Sequence, residues 1–409
     1  MRYAETRREK AITLLGLGAL HAYTHIFQVA IVPLYFHIQS DFKLPTAALA
    51  TLLATIQNVF YYGFSIPFGV LADRWSRKQL LALGLVLNSV GFIGLAYAPS
   101  YAWAIVAVAV AGIGGSFYHP AATAMVVQLY PERPGWALGR AGIGAALGFF
   151  FGPWYAGLRA GEVGVSWRTP CLELGIFGLL GAVAFALTAR EAKPIEEAHH
   201  HETHRLKAGS VLAVFLIVAL AFSLRDFCGA SMSSITSLFL QKAHGFGARG
   251  TGLLIGLMFL VAVAANPILG AWSDRNRYRW AAWVLLVAAA MVATVPWLPR
   301  EMLWLGLSIY GFFMLASYPI VEAALMESVP DRVRGRVFGV FVMIGGLIGS
   351  VGPWAMGAVY DHLGARAIQT ASYGPTYLAL AGLILISLIG LPLLRWATRY
   401  AAKHPASAV

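Results

Sequence analysis

Three histidines stand inside long apolar stretches of the chain. His21 and His25 are four residues apart and share one face of a helix, which Gln28 continues. His119 directly precedes Pro120, which frees a backbone carbonyl and bends a helix. Imidazoles in such places relay protons, bind Zn²⁺ or Fe²⁺, or satisfy buried hydrogen bonds. Because no carboxylate or cysteine is clearly nearby, we expect no metal site and favour substrate binding or proton transfer.

One arginine and two carboxylates stand in comparable stretches later in the chain. At about 1.5 Å of helix rise per residue, both His21 and Arg225 are expected near the middle of a bilayer. Asp226 points about 100° away from Arg225 around a helix, and we expect it to neutralise Arg225 through another helix or to bind a proton. Glu322 is the second candidate for proton coupling, because a neutral acid crosses an apolar barrier more cheaply than an ion. An inert helix-packing role fits either carboxylate equally well.

The elements that carry these residues are predicted to lie in a membrane. The chain is 59% hydrophobic and 12% charged, with a mean hydropathy of +0.69, whereas soluble proteins carry about 25% charged residues. Cys171 and Cys228 fall in apolar stretches and form no CxxC pair, so we expect neither a disulfide nor a zinc site at them.

The net charge of +12 is placed as in a membrane protein. Lysines and arginines cluster in alternate loops, which excludes a nucleic-acid partner and follows the positive-inside rule. The rich loops include Arg7, Arg8, Lys10, Arg74, Arg77, Lys78, Arg190, Lys193, Arg275, Arg277, Arg279, Arg332, Arg334 and Arg336. Both termini and the central loop are therefore predicted to be cytoplasmic. The apolar stretch from Ala11 is too long for the core of a cleavable signal.

Twelve stretches reach the length of about 20 apolar residues that a transmembrane helix needs. They cover residues 11–36, 47–72, 80–98, 102–129, 138–160, 169–188, 210–240, 249–272, 280–297, 302–327, 336–361 and 373–396. We predict a six-helix bundle in residues 1–188, a cytoplasmic linker at 189–209, and a second six-helix bundle with a short cytoplasmic tail in 210–409. The linker histidines (His199, His200, His201 and His204) are compatible with metal binding, but a solvated linker is the simpler interpretation.

Short motifs recur at a spacing near two hundred residues. Gly–x–x–x–Asp–Arg occurs at Gly69–Arg74 and again at Gly270–Arg275, each followed by further arginines. Three more pairs are Tyr118-His119-Pro120 with Ser317-Tyr318-Pro319, Pro131-Glu132-Arg133 with Pro330-Asp331-Arg332, and Gly152-Pro153-Trp154 with Gly352-Pro353-Trp354. Four matches in register indicate two homologous halves related by an axis along the membrane normal. The offset that aligns Phe42 with Phe246 makes His21 equivalent to Arg225.

The loop motif resembles the signature of the major facilitator superfamily, with Ser76 where that family usually has glycine. The resemblance implies an all-α membrane protein of twelve transmembrane helices in two pseudo-symmetric six-helix bundles. It also implies that the two loops form a gating latch in which arginines pair with acidic groups at helix ends. The gating residues are Gly69, Asp73, Arg74, Arg77, Gly270, Asp274 and Arg275.

Three segments resemble the fosmidomycin-resistance type of efflux protein: His21 to Tyr35, Gly115 to Pro120, and Leu224-Arg225 with the serines that follow. In this superfamily spans 1 and 7 line a central cavity, so the resemblance implies an anion-binding role for His21 and Arg225. The predicted substrate residues are His21, His25, Gln28, Asn58, Tyr61, Arg225, Tyr310, Met314, Ser317 and Tyr318, and the predicted proton-coupling residues are Asp226, Glu322 and His119.

Span 5 is rich in glycine, with Gly144, Gly148 and Gly152 at intervals of four. Small residues at this spacing let helices approach closely. The stretch resembles the Gly-Pro motif of antiporters in the superfamily, which favours export. Span 11 carries a similar stretch around Gly349, so generic packing explains the pattern nearly as well.

The sequence contains no Walker, HExxH or GxSxG motif, so we expect no enzyme activity and no cofactor. We predict a monomeric secondary transporter in the lipid bilayer of a bacterial inner membrane, which exports a small anionic organic compound in exchange for protons. Proton-coupled uptake of an organic anion or metabolite is the first alternative. Transition-metal export and a non-transporting membrane sensor are the others.

Overall fold

The computed structural model describes residues 3–192, 209–329 and 331–403. Within these ranges every regular element is helical, with one isolated bridge between Tyr3 and Glu191 and no β-strand. Most of the predicted linker, with its four histidines, lies outside the described residues, as do Pro330 and residues 404–409 of the tail.

Twelve helical segments of the described chain are long and apolar enough to cross a membrane, which confirms the predicted fold class. Each overlaps one predicted stretch. Spans 1 to 12 are Arg7–Asp41, Ala47–Ala72, Arg77–Ala96, Tyr101–Leu129, Pro134–Ala160, Arg168–Thr188, Phe215–Lys242, Ala248–Ser273, Arg277–Trp297, Arg300–Glu327, Val337–Ile368 and Thr370–Trp396.

Several spans are built from more than one helix. In spans 1 to 6 the α-helices are Arg7–Val29, Tyr35–Asp41, Ala47–Gly63, Ser65–Ala72, Arg77–Ala96, Tyr101–Ser116, Tyr118–Leu129, Pro134–Ala160 and Arg168–Thr188. In spans 7 to 12 they are Gly209–Lys242, Ala248–Leu260, Ala262–Ser273, Arg277–Thr294, Leu303–Glu327, Asp331–Ser350, Gly352–Leu363, Gly374–Ser387 and Gly390–Lys403. Short 3-10 turns at Val32–Leu34, Val295–Trp297, Arg300–Met302, Gly364–Ile368 and Thr370–Tyr373 complete them.

Prolines set the breaks in spans 1, 2 and 4. The first helix of each of these spans ends four residues before a proline, because the proline ring clashes with the carbonyl group of the residue four positions earlier. The pairs are Val29 with Pro33, Gly63 with Pro67, and Ser116 with Pro120. The last break places Tyr118 and His119 at the start of a new helix within the membrane segment.

A stripe of glycines brings span 5 against span 1. Side chains at Gly144, Gly148 and Gly152 would collide with the backbone carbonyls of Gly18, Ala22 and Ile26, respectively. The absence of side chains therefore permits direct backbone contact over two helical turns. This contact fixes the rotation of span 1, and hence the direction of His21 and His25.

The contacts divide the chain into two compact units. Unit 1 comprises residues 1–195, 232–260 and 350–370, and unit 2 comprises residues 196–231, 261–349 and 371–409. Unit 1 thus holds the first six spans with parts of spans 7, 8 and 11. Within it, Asp361 of span 11 accepts hydrogen bonds from the backbone amides of Ala47 and Ala48, both at 2.8 Å, and so caps the first turn of span 2. The division into two six-helix halves is inferred from the sequence repeat, and it stays a prediction.

Candidate functional site

Spans 1 and 4 bring three histidine rings together in unit 1. The ring centroids of His21 and His25 are 5.0 Å apart, and His119 lies 5.3 Å from the first and 5.9 Å from the second. One ring nitrogen of each histidine lies within 4.8 Å of the other two. His25 is buried, His21 is half-buried and His119 is exposed. The cluster is therefore most accessible at His119.

Hydrogen bonds fix two of these rings. His21 Nδ1 is 3.0 Å from the carbonyl oxygen of Ala141 in span 5. His25 Nδ1 is 2.8 Å from Oε1 of Gln28, whose amide nitrogen donates to Asn58 of span 2 at 3.0 Å. A carbonyl oxygen only accepts, so each Nδ1 carries the hydrogen and each Nε2 presents a lone pair. The Nε2 atom of His21 is buried without a hydrogen-bond partner in the described part of the chain.

Aromatic rings surround the histidines. Tyr118 stacks on His21 at 4.5 Å and donates its hydroxyl hydrogen to the carbonyl of Leu17 at 2.9 Å. The Tyr61 ring lies 6.1 Å from His119, and its hydroxyl is buried with no partner among the described residues. The structure thus gathers in one place the six predicted residues of unit 1: His21, His25, Gln28, Asn58, Tyr61 and His119. Their roles stay predictions.

Arg225 anchors a second polar cluster, in unit 2. Its side chain is 1% exposed and pairs with Asp226 at 2.8 Å. The guanidinium lies 4.1 Å from the ring centroid of Tyr318 and donates to the carbonyl of Ser317 at 3.3 Å. Such a buried cation needs both its ion pair and its aromatic neighbour to offset the loss of water.

The Arg225–Asp226 pairing corrects one expectation. The sequence predicts that Asp226 either neutralises Arg225 through another helix or binds a proton, but the long arginine side chain turns back to its neighbour directly. Asp226 packs against Gly345 of span 11, where a side chain would occupy the carboxylate's place. Glu322 is half-buried and forms no hydrogen bond or ion pair with any described residue. The two carboxylates therefore differ in their partners.

The other predicted residues of unit 2 lie inside helix packing. Tyr310 is 2% exposed, Met314 is 1% exposed and Ser317 is fully buried. The hydroxyl of Ser317 donates to the carbonyl of Met314 at 2.6 Å. In this arrangement their side chains are packed between helices rather than facing an open surface.

One kind of contact occurs in both units. In unit 1, the residue before the proline of span 4 packs against the polar residue of span 1. In unit 2, the residue before the proline of span 10 packs against the polar residue of span 7. His119 lies beside His21 at 5.3 Å, and Tyr318 lies beneath Arg225 at 4.1 Å. The equivalence of His21 and Arg225 that the repeat predicts thus has a structural counterpart within each unit.

The first gating loop is arranged differently from the prediction. The side chains of Asp73 and Arg74 are exposed and make no hydrogen bond or ion pair with described residues. The acidic group at the start of span 3 is Glu191, which accepts hydrogen bonds from the hydroxyl of Ser76 and the backbone amide of Lys78. Sequence reasoning missed Glu191, although an acidic residue just after span 6 was a usable signal.

The second loop differs from the first in register. Arg77 follows Arg74 by three residues, whereas Arg277 follows Arg275 by two. Arg277 pairs with Asp274 at 3.0 Å and with Glu327, at the end of span 10, at 2.5 Å. Arg277 and Glu327 are absent from the predicted gating set, which names Gly270, Asp274 and Arg275. The latch role of both loops stays a prediction.

Comparison with known proteins identifies the fold and the family. Residues 16–353 match the Major Facilitator Superfamily. The chain is 25% identical over 399 residues to the fosmidomycin resistance protein of Escherichia coli K12, covering 93% of this chain and 94% of that protein. It is 27% identical over 345 residues to a multi-drug resistance efflux pump of Streptococcus pneumoniae, covering 80% and 83% of the two chains.

A solved bacterial homologue of the human lysosomal transporter Spinster has the same fold. Its TM-score to this chain is 0.77 at 19% sequence identity, over 99% of this chain and 98% of that one. These likenesses confirm the resemblance seen in the loop and span motifs. The chain is a twelve-span membrane protein with bacterial relatives, and it belongs to the major facilitator superfamily.

Proposed function

We propose that this protein is a secondary transporter that exports a small organic compound in exchange for protons by alternating access. Two similar proteins are named fosmidomycin resistance protein and multi-drug resistance efflux pump, and these names favour export. The observation that carries the coupling is Glu322, a half-buried carboxylate in span 10 without a partner among the described residues. A proton and a substrate compete for such a group, so that only one of them is bound at a time. Exchange of substrate for protons requires this competition.

The charges of the Arg225 cluster support the assignment of the proton to Glu322. One guanidinium is paired with one carboxylate, Asp226, which leaves the charge of Glu322 uncompensated. Charges inside a membrane are costly, so a proton on Glu322 gives the cluster a net charge of zero. A substrate with a cationic group replaces that proton and keeps the net charge of the cluster at zero.

An organic anion behaves differently at this cluster, and this favours a second candidate function. Arg225 is already held by Asp226, so an anion binds to Arg225 only when Asp226 is protonated. The proton and the anion then bind together, which is the requirement for proton-coupled uptake. The anionic substrate that the sequence implies therefore fits uptake better than exchange at this cluster.

The placement in the membrane follows from the loops. We propose that the protein lies in a bacterial inner membrane as a monomer, with both termini in the cytoplasm, because the arginine-rich loops alternate with poor ones. Arg277 with Asp274 and Glu327, and Glu191 with Ser76, are the contacts that we assign to the cytoplasmic latch.

The test is drug susceptibility of a sensitive bacterial host at matched expression. Fosmidomycin, other small anions, neutral drugs and cationic drugs are compared for wild type, Glu322→Gln and Arg225→Ala. The control is Glu301→Gln, an exposed carboxylate at the other end of span 10. We expect protection that Glu322→Gln abolishes and Glu301→Gln retains. Sensitisation to anions that depends on Arg225 contradicts export and supports uptake, and protection unchanged in Glu322→Gln contradicts the proton assignment.

A further inference from the structure

We propose that His21, His25 and His119 form a binding site for one divalent transition-metal ion of the Zn²⁺ class. This goes beyond the proposed transport function and departs from the sequence expectation of no metal site. That expectation rested on the absence of a nearby carboxylate or cysteine. The fold supplies a third imidazole instead, from a helix that starts nearly one hundred residues after His21.

The spacing of the donors suits a small ion after a small movement. One nitrogen of each ring lies within 4.8 Å of the others, whereas a Zn–N bond of about 2.0–2.1 Å places tetrahedral donors about 3.3 Å apart. The movement needed is therefore at most about 1.5 Å per pair. His119 is exposed and has no hydrogen bond with a described residue, so it rotates toward the other two at little cost.

The neighbours of the rings already orient the donor atoms. Histidines that bind metals generally donate the other ring hydrogen to a carbonyl or carboxylate, which fixes the tautomer and the ring direction. His21 does so to Ala141 and His25 to Gln28, which is itself held by Asn58. Stacking of His25 on Phe149 at 4.1 Å adds a further restraint.

The second observation is an unsatisfied atom. Nε2 of His21 is buried and has no hydrogen-bond partner in the described part of the chain. A buried acceptor left without a donor costs about 1–3 kcal/mol. A metal ion supplies the missing partner.

The donor set selects the class of ion. Three neutral imidazoles suit Zn²⁺, Co²⁺, Ni²⁺ or Cu²⁺, whereas Mg²⁺ and Ca²⁺ prefer oxygen ligands. Three protein ligands leave a fourth coordination position for water or an anion. The exposure of His119 gives an ion access to the site from that side.

The experiment measures metal binding to the purified full-length chain in detergent, without a histidine tag. His199, His200, His201 and His204 are replaced by glutamine in every sample, so that the linker does not chelate. Co²⁺ is the probe, read by its visible absorption, and Zn²⁺ is the competitor. Thermal unfolding without metal establishes that each variant is folded.

We expect one Co²⁺ per chain, displaced by Zn²⁺, and at least about 100-fold weaker binding in His25→Gln or His119→Gln. Gln28→Leu removes no ligand but frees the His25 ring, and we expect about 10–100-fold weaker binding. His362→Gln, an exposed histidine outside the cluster, is the matched control and should bind as the parent does. Equal binding in the parent and His25→Gln, or an unchanged affinity in Gln28→Leu, overturns the proposal. The readout does not involve transport, so failure of the export proposal leaves this result unaffected.

Discussion

At the scale of single residues, the two carboxylates of unit 2 have the same chemistry and different surroundings. Asp226 is fixed by two hydrogen bonds from Arg225, at 3.0 and 2.8 Å. Glu322 has no such partner among the described residues. A charge inside a membrane is costly unless a partner of opposite charge offsets that cost. This difference is why we propose a structural role for Asp226 in the resting state and the exchangeable proton for Glu322.

Glu322→Gln is the first prediction at this scale. The amide mimics the protonated acid and cannot release a proton, so export driven by a pH gradient should be abolished. Substrate counterflow, which needs no net proton movement, should persist. Both are measured in proteoliposomes with Glu301→Gln as control. Loss of counterflow as well would show that Glu322 acts in binding or folding instead.

The substitution Gly345→Ala is the second prediction at the scale of single residues. The added methyl group would collide with the carboxylate of Asp226 and push it from Arg225. We expect transport to fall and the free energy of unfolding to drop by about 1–3 kcal/mol. Gly339→Ala is the matched control, because Gly339 lies in the same helix and its added methyl meets no atom within 4 Å. Equal behaviour of the two variants in transport and thermal unfolding would contradict this contact.

At the scale of elements, the glycine stripe of span 5 decides where the histidines of span 1 point. Gly144, Gly148 and Gly152 let the backbone of span 5 touch that of span 1. The same contact places the carbonyl of Ala141 at 3.0 Å from His21. A helix rotated by one residue turns its side chains by about 100°, so this packing is a condition for the histidine cluster.

Gly148→Ala tests the packing. Its methyl group would meet the carbonyl of Ala22, and we expect a loss of about 1–3 kcal/mol in stability. Gly142→Ala, in the same helix, meets no atom within 4 Å and should be neutral or more stable by about 0.5–1 kcal/mol. Thermal unfolding in detergent measures both. If Gly142→Ala proved the more harmful, the assigned faces of span 5 would be incorrect.

At the scale of the whole molecule, the charges of the loops predict the orientation of the chain in the membrane. Arginines and lysines crowd every second loop, and the paired residues of both signature loops lie among them. Positive loops stay on the cytoplasmic side during insertion. With an even number of spans in each half, this rule predicts both termini on that side.

Cysteine labelling tests this orientation. Cys171 and Cys228 are buried, at 1% and 0% exposure, so the native background should be low. Val163→Cys, in the exposed loop between spans 5 and 6, should react with a membrane-impermeant maleimide in intact spheroplasts. Glu132→Cys, in the exposed loop between spans 4 and 5, should react only after permeabilisation. The reverse pattern would place the termini outside.

The sequence alone determined the class of this protein. Span length and apolarity are local properties, so all twelve spans were predictable, and the repeated motifs predict two homologous halves without any knowledge of packing. The stripe at Gly144 and Gly148 was also readable, because a period of four residues fixes one helix face. The family followed from the loop signature at Gly69–Arg74.

Only the tertiary structure decided which side chains meet. His119 joins His21 and His25 because helix breaks and crossings bring distant segments together, and Arg225 turns to Asp226 although the helical wheel separates them. Glu191 reaches the start of span 3, far from it in sequence, for the same reason. These contacts depend on helix rotation and side-chain conformation, where a shift of one residue changes the direction by about 100°. The linear pattern carries no information at that precision.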